Sequence, residues 1–243
     1  MKYDFTTIMD RRGMDAIAVD QPPRMPSVPG FDLIPMWVAD MNFATVPTVV
    51  DSMIRRAQHP AFGYFSLREE YYNGIQRWHK THHDVDLKPE FITYANGVLG
   101  GVVSALNVLC SKGDNVLVHS PLQQDNEGVW RMDYADMEEK IVHNKIHAAI
   151  LCSPHNPCGR VWERWELERA MELFQKYDVF VISDEIWSDL ILEGHKHIPT
   201  QAVSEDAKMR TVAMYAPSKT FNLAGLVGSY SVIYNSWLRD RVQ

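Results

Sequence analysis

The sequence predicts an α/β fold built around a mostly parallel β-sheet. From residue 91 onward, short apolar segments alternate with longer amphipathic segments, which is the pattern of strands joined by helices. The composition is that of an ordinary globular protein, with 46% hydrophobic and 23% charged residues among 243. Polar side chains follow directly after the apolar segments, and parallel sheets place their sites at the carboxyl ends of their strands.

The elements divide the chain into an N-terminal arm, residues 1–45, and a large domain, residues 46–243. The arm is rich in Pro and Met, and its run QPPRMPSVPG predicts a loop. Periodicity predicts helices near 47–58, 66–81, 97–110, 133–145 and 163–177. Apolar runs predict strands at 91–95, 115–119, 147–152, 179–183, 211–215 and 228–234.

Charge and composition argue against several classes of function. The net charge of −7 gives no electrostatic support to a nucleic-acid partner. The N-terminus lacks the apolar segment of a signal peptide, and no apolar run is long enough to cross a bilayer. We therefore expect no membrane partner and a cytoplasmic location.

The cysteines and histidines give no sign of a metal site. Cys110, Cys152 and Cys158 are an odd number without a signal peptide, which predicts reduced thiols. The spacing of Cys152 and Cys158 fits no zinc pattern, so small buried thiols are expected instead. Four histidines in polar stretches are expected to be solvated: His82, His83, His195 and His197.

Two predicted strands end in turns with useful chemistry. The strand 91–95 is followed by a glycine-rich turn that opens a helix, and the free N–H groups of Gly97, Val98 and Leu99 would suit a phosphate. Glycines at such turns are also often purely structural. The strand 147–152 is followed by SPHNPCG, whose prolines and glycine would aim Asn156, although Asn is also an ordinary turn former.

The next two strands end in ionisable residues. Asp184 and Glu185 follow strand 179–183, and because successive side chains alternate, only one of these acids can face a site above the sheet. A carboxylate there can also simply cap a helix. Lys219 lies between an apolar strand and an apolar helix, where partial desolvation would favour a nucleophilic amine, although most single lysines are solvated.

In combination these segments resemble a known family. SPHNPCGR, ISDEIW and APSKTFNLAGL, in this order, are similar to the class I/II aminotransferases among fold-type I pyridoxal 5′-phosphate (PLP) enzymes. The pattern is most similar to the C–S β-lyase branch, which includes cystathionine β-lyases and a maltose-regulator relative. The segments MDRRGMDAIAVD, IPMWVADMNF and FGYF agree with that branch. The resemblance implies the three-layer large domain of that fold.

The resemblance also implies roles for individual residues. Lys219 would hold PLP as a Schiff base, Asp184 would bind the pyridine nitrogen, and Asn156 would bind the phenolic oxygen. Tyr64 would reach the phosphate of a neighbouring subunit, which implies a homodimer. Trp187 stands where many aminotransferases have a tyrosine, and this difference favours the lyase branch. The phosphate contacts would come from four residues: Gly97, Val98, Leu99 and Ser218.

The implied activity is that of a PLP-dependent C–S β-lyase. Its amino-acid substrate would be cystathionine or a related cysteine S-conjugate, and its products pyruvate, ammonia and a thiol. An aminotransferase is the alternative, since the same residues serve both reactions. A catalytically impaired PLP-binding or regulatory protein is a second alternative.

Two departures from the family lead us to expect an incomplete large domain and poor catalysis. The family continues into a small C-terminal domain that supplies an arginine for the substrate carboxylate, and that domain is absent from residues 1–243. In addition, Ser120-Pro121 is followed at once by LQQDNEG, whereas the family has a further helix and strand there. A crossover of this kind needs about a dozen residues or more, so we predict an internal deletion near residues 121–122.

Overall fold

The computed structural model describes residues 3–24, 28–31, 34–118 and 122–243, and it confirms the α/β class. Six strands form the main sheet and two form a separate hairpin. The main-sheet strands are β1 (Ile92–Asn96), β2 (Val116–Val118), β5 (Ala148–Cys152), β6 (Phe180–Asp184), β7 (Thr211–Tyr215) and β8 (Gly228–Val232). The hairpin consists of β3 (Leu122–Gln124) and β4 (Trp130–Met132).

The sheet is mixed but mostly parallel, with the order β1-β8-β7-β6-β5-β2. Strands β2, β5, β6 and β7 pair in parallel, whereas β8 is antiparallel to both of its neighbours. Because β1 and β7 are each antiparallel to β8, they run in the same direction. The carboxyl ends of β1, β7, β6 and β5 therefore meet at one edge of the sheet.

Helices cover both faces of the sheet and make three layers. They are α1 (Ile17–Asp20), α2 (Pro47–Ala57), α3 (Glu69–His83), α4 (Gly97–Leu109), α5 (Tyr134–His143), α6 (Arg164–Lys176), α7 (Glu205–Arg210), α8 (Pro217–Thr220) and α9 (Ser236–Val242). On one face, α5 and α6 enclose a core that includes Met137, Leu167 and Phe174. On the other face, α4 and α9 pack on alternate residues of the same strands, including Ile182 and Met214.

Local sequence explains where the longer helices begin. At the start of α6, the side chain of Glu163 and the side chain of Glu166 each accept a backbone N–H of the other residue, a reciprocal capping box. The N-cap of helix α5 is Asp133, whose carboxylate accepts the N–H of Asp136. In α4, a Cβ on Gly101 would lie 2.8 Å from Met214 Sδ, so glycine allows this helix to approach β7 closely.

The N-terminal arm is held to the large domain at a few points and is otherwise exposed. Met41 N donates to Asn222 Oδ1 at 3.0 Å, and Thr45 Oγ1 donates to Phe221 O at 2.5 Å. The apolar side chains of Ile8 and Met36 are 77% and 89% exposed, so this part of the arm covers little of the core. The division at residue 45 stays a prediction.

The region of the predicted deletion lies partly outside the described residues, since residues 119–121 are not among them. Strand β2 is an edge strand of the main sheet, and the described chain resumes directly in the hairpin β3–β4. This hairpin was not predicted from the sequence. None of the described helices is long and apolar enough to cross a membrane.

Candidate functional site

The carboxyl edge of the sheet brings together the segments singled out in the sequence. Cys152, Asp184 and Met214 are aligned partners on three adjacent parallel strands. Asn156 follows Cys152 by four residues, and Lys219 follows Met214 by five. The amide of Asn156, the carboxylate of Asp184 and the amine of Lys219 therefore lie at or just after the carboxyl ends of three neighbouring strands.

The glycine turn lies at the same edge, after β1. Gly97 adopts a left-handed φ of +73°, which explains why glycine occupies the first residue of α4. The side chain of Val98 is buried in the core, and that of Leu99 is 79% exposed. Neither side chain is polar, so these residues can contribute to an anion site only through the backbone N–H groups of the first turn of α4.

Asp184 and Glu185 point to opposite faces of the sheet, as the alternation predicts. Asp184 ends β6, half-buried on the face covered by α4, and its Oδ1 accepts the N–H of Ile186 at 3.1 Å. Glu185 is fully buried on the other face, where Ser183 Oγ donates to its carboxylate at 3.0 Å. Of the two acids, only Asp184 lies on the face of the sheet that α4, the helix begun by the glycine turn, covers.

Lys219 lies on α8 and is half-buried. Its Nζ donates to the backbone O of Ala39 at 3.0 Å and lies 5.5 Å from the ring centroid of Trp187. Trp187 comes from the turn that follows Asp184. The amine is therefore placed between the N-terminal arm and the segment after β6. Ser218 precedes Lys219 on α8 and is half-buried.

Asn156 is exposed in a compact loop after β5. Its N–H points to Cys152 Sγ at 3.4 Å, and His155 N donates to Arg160 O at 2.7 Å, which closes the loop. Asn156 and Trp187 line one cavity of about 290 Å³. The cavity thus joins the loop after β5 to the turn after β6.

A second cavity, of about 250 Å³, lies on the other side of α8. It is lined by Pro217 and Phe221, which are one helical turn apart on a face that Lys219 does not share. None of the predicted site residues lines it, so we do not place the candidate site there. Tyr64 is fully exposed between α2 and α3, and its predicted contact with a second subunit stays a prediction.

The structure reveals a buried polar cluster that sequence reasoning missed. His83 and His197 were predicted to be solvated, and this was wrong: they are 7% and 5% exposed. His197 Nε2 lies 2.8 Å from Glu185 Oε2, and His83 Nε2 lies 3.1 Å from Asp189 Oδ1. Each imidazole is buried because a carboxylate pairs with it, 12 positions before His197 and 106 positions after His83. His82 and His195 are exposed, as predicted.

Glu185 and Asp189 hold this cluster together. Burial alone would raise the pKa of Glu185, but hydrogen bonds from His197 and Tyr215 hold that pKa below its usual value. Burial would likewise raise the pKa of Asp189, but hydrogen bonds from His83, Thr220 and Trp78 lower it to about 2. Because Thr220 adjoins Lys219, Asp189 also fixes the position of α8.

The described cysteines are all unpaired thiols, in agreement with the prediction of reduced cysteines. Cys152 is buried, and its burial raises the pKa of the thiol to about 11. Cys158 is only half-buried, with its Sγ 2.9 Å from His155 Nδ1. The expectation of a buried thiol is therefore confirmed for Cys152 and wrong for Cys158, which lies at the accessible end of the Asn156 loop.

Comparisons with known proteins agree with this architecture. Residues 123–243 match the family described as aminotransferase class I and II. The chain is 36% identical to cystathionine beta-lyase PatB of Bacillus subtilis over 222 residues, covering 83% of this chain and 57% of PatB. It is 29% identical to protein MalY of Escherichia coli over 260 residues, covering 98% of this chain and 65% of MalY.

Among solved structures, the chain is similar to cystalysin from Treponema denticola, which contains a PLP cofactor. The TM-score is 0.89 at 30% identity, and the match covers all of this chain and 66% of cystalysin. The chain thus spans 57% and 65% of the lengths of PatB and MalY. In fold, in sequence and in the order of its strand-end segments, the chain belongs to the aminotransferase class I and II family.

Proposed function

We propose that this chain is the PLP-binding large domain of a C–S β-lyase that acts on cystathionine or a related cysteine S-conjugate. One observation carries the proposal: Asn156, Asp184 and Lys219 leave three adjacent parallel strands at the same edge of the sheet. The names of PatB and cystalysin support the choice of cofactor and reaction. Because the chain spans only part of those relatives, the activity of the whole protein is part of the proposal.

The residues at this edge fit PLP by the chemistry of their side chains. A primary amine, Lys219, suits the aldehyde carbon, and a carboxylate, Asp184, suits a protonated pyridine nitrogen. The amide of Asn156 suits the phenolic oxygen. The left-handed Gly97 and the thirteen-residue helix α4 that it begins present free N–H groups for a phosphate, to which the Ser218 hydroxyl would add.

Bound PLP would supply an electron sink for a substrate carbanion, and the protein would orient and protonate the reacting groups. Asp184 would keep the ring nitrogen protonated through a charge-assisted hydrogen bond. Lys219 Nζ, when free, would take the proton from the substrate Cα as a general base. Trp187, whose ring lies beside that amine, would exclude water from one side of it.

The lyase is preferred to an aminotransferase because of Trp187 and the names of the relatives. The core residues serve both reactions, so the discriminating measurement is the product. Release of pyruvate from cystathionine without a keto-acid acceptor would identify a lyase, whereas dependence on a keto acid would identify an aminotransferase. Cofactor binding without either product would favour the regulatory alternative.

We also infer a homodimer in the cytoplasm. The exposed apolar side chains of the arm and of the segment before α3 would be covered by a second copy, with Tyr64 reaching the neighbouring phosphate site. Free Cys110, Cys152 and Cys158 suit a reducing compartment. Light scattering of the purified chain with PLP would measure the mass of the assembly.

Borohydride reduction tests the central proposal. The chain is incubated with PLP, reduced, digested and mapped by mass spectrometry. We expect a pyridoxyl group on Lys219 and its loss in Lys219→Arg. Lys112 is an exposed lysine in a loop and serves as the internal control for nonspecific labelling. A label on other lysines alone, or no label on a folded chain, would refute the proposal.

A further inference from the structure

We propose that Asn222 is a positioning residue that acts on Lys219 through residues 39–45, which we call the strap. The strap is the part of the N-terminal arm that crosses α8. Its carbonyl at Ala39 accepts the hydrogen bond from Lys219, and Asn222 holds the strap in the position that makes this bond. The importance of Lys219 rests on the proposed function, whereas the contacts themselves do not.

The carboxamide of Asn222 is fully engaged with the strap. Met41 N donates to Oδ1 at 3.0 Å, while Nδ2 donates to Met41 O at 3.1 Å and to Phe43 O at 3.0 Å. These partners lie about 180 positions away in sequence, so the three bonds are purely tertiary. One side chain thus binds the backbone of two residues of the strap, Met41 and Phe43, through both its donor and its acceptor ends.

The backbone of Asn222 explains why this residue type suits the position. Its φ is 55°, in the left-handed region, where Asn is tolerated better than most residues other than glycine. Glycine would satisfy the backbone but could not bind the strap. Asparagine meets both requirements at once, immediately after the helix that carries Lys219.

The strap is secured at further points. Thr45 Oγ1 donates to Phe221 O at 2.5 Å at one end, and the ion pair of Asp40 with Arg11 lies at the other. Between these anchors Asn222 holds the middle of the strap. Ala39, two residues before Met41, is exposed and lies beyond these bonds, so its position depends on how firmly the strap is held.

The position of the strap matters because Lys219 donates a hydrogen bond to it. Lys219 Nζ donates to Ala39 O at 3.0 Å, and the ring of Trp187 lies 5.5 Å away. A general base acts most efficiently when its free form is held in one position relative to the reacting atoms. We infer that Ala39 O is the acceptor that holds the free amine, and that Asn222 keeps this acceptor in reach.

Competitive acetylation of the PLP-free chain tests the inference. Trace acetic anhydride is added between pH 7 and 10, and the acetylation of Lys219 is measured relative to exposed Lys112 by peptide mass spectrometry. In Asn222→Gly, which removes the side chain without backbone strain, we expect Lys219 to react about fivefold faster, the effect of losing roughly one net hydrogen bond. Hydrogen exchange of the strap should accelerate in the same variant.

A second asparagine provides a matched control. Asn235 also binds backbone atoms at both ends of its side chain, at Leu238 N and Met209 O, but it lies away from the strap. Asn235→Ala should leave the reactivity of Lys219 unchanged. Should Asn222→Gly fail to fold, Asn222→Ser, whose shorter side chain lacks the carboxamide that binds the strap, takes its place in the same measurement.

The inference is overturned if Lys219 reacts equally fast in the wild type and in the Asn222 variant. It is also overturned if strap exchange accelerates while Lys219 does not respond, because the strap would then not control the amine. The experiment contains no PLP, so its result is independent of the borohydride label. A labelled Lys219 with unresponsive acetylation would refute only the role of Asn222.

Discussion

His79 should make the stability of this protein depend on pH between about 6.5 and 4, a range that begins about two units above the usual pKa of a carboxylate. It is 2% exposed, and its Nε2 lies 2.9 Å from the hydroxyl of Tyr230. Burial, together with the neighbouring His83, lowers the pKa of His79 to about 4. In the unfolded chain the same imidazole is solvated, with an ordinary pKa of about 6.5.

The folded and unfolded pKa values of His79 determine how the stability changes with pH. Between pH 6.5 and 4 the unfolded chain binds a proton that folded His79 does not, so the free energy of unfolding falls as the pH is lowered. Between pH 7.5 and 4.5 the contribution of this one group changes by about 2.5 kcal/mol. The carboxylate of Asp189, whose pKa lies near 2, loses its stabilising effect only at lower pH.

Urea unfolding of the wild type and of His79→Gln across this pH range measures the effect. The variant should be less stable at pH 7.5, and its deficit should shrink by about 2.5 kcal/mol at pH 4.5. His59→Gln changes an exposed histidine and should give a curve parallel to the wild type. Parallel curves for wild type and His79→Gln would show that His79 does not have the depressed pKa assigned to it.

Three further changes have defined outcomes. Glu185→Ala should lower the free energy of unfolding, measured by chemical denaturation, by about 3–5 kcal/mol, because it leaves buried hydrogen-bond donors without an acceptor. A loss below about 1 kcal/mol would contradict the stabilising role of the buried polar cluster. Gly101→Ala should destabilise the protein by about 1–3 kcal/mol, because the added Cβ would clash with Met214. Gly100→Ala meets only a 3.9 Å contact and should stabilise the protein by up to about 1 kcal/mol. Equal shifts of the two variants in thermal melts would refute the packing argument. Asp184→Ala should leave some PLP bound by absorbance but abolish proton exchange at the Cα of a bound amino acid, and retained exchange would remove Asp184 from the site.

The sequence was informative wherever a strand was buried on both faces. The strand 211–215 was predicted with its observed bounds, because all five residues of β7 are buried and an uninterrupted apolar run shows where it begins and ends. The alternation of Asp184 and Glu185 followed in the same way from strand geometry. The bounds of the five predicted helices agree with the observed ones within a few residues, whereas the short helices α1, α7 and α9 were not predicted.

Most of the features that the sequence did not predict depend on contacts between residues that are not neighbours in sequence. His83 and His197 lie in polar stretches, and nothing near them in sequence reveals the carboxylates of Asp189 and Glu185 that make their burial possible. The hairpin around Gly128 was missed because its strands are only three residues long. The bonds of Asn222 to the arm were equally invisible, because they join segments about 180 positions apart.

The antiparallel strand β8 has a consequence for how the protein is made. Strand β1 pairs with no other strand of the described sheet, and Asn96 is aligned with Gly228, 132 positions later in the sequence. During synthesis β1 must wait on the order of ten seconds for its only partner to be translated. Strand β1 can pair with the sheet only through β8, whereas helix α4, which begins at Gly97, also packs on β7. The strand that precedes the glycine turn is therefore translated before the other main-sheet strands but finds its partner only after all of them have been made.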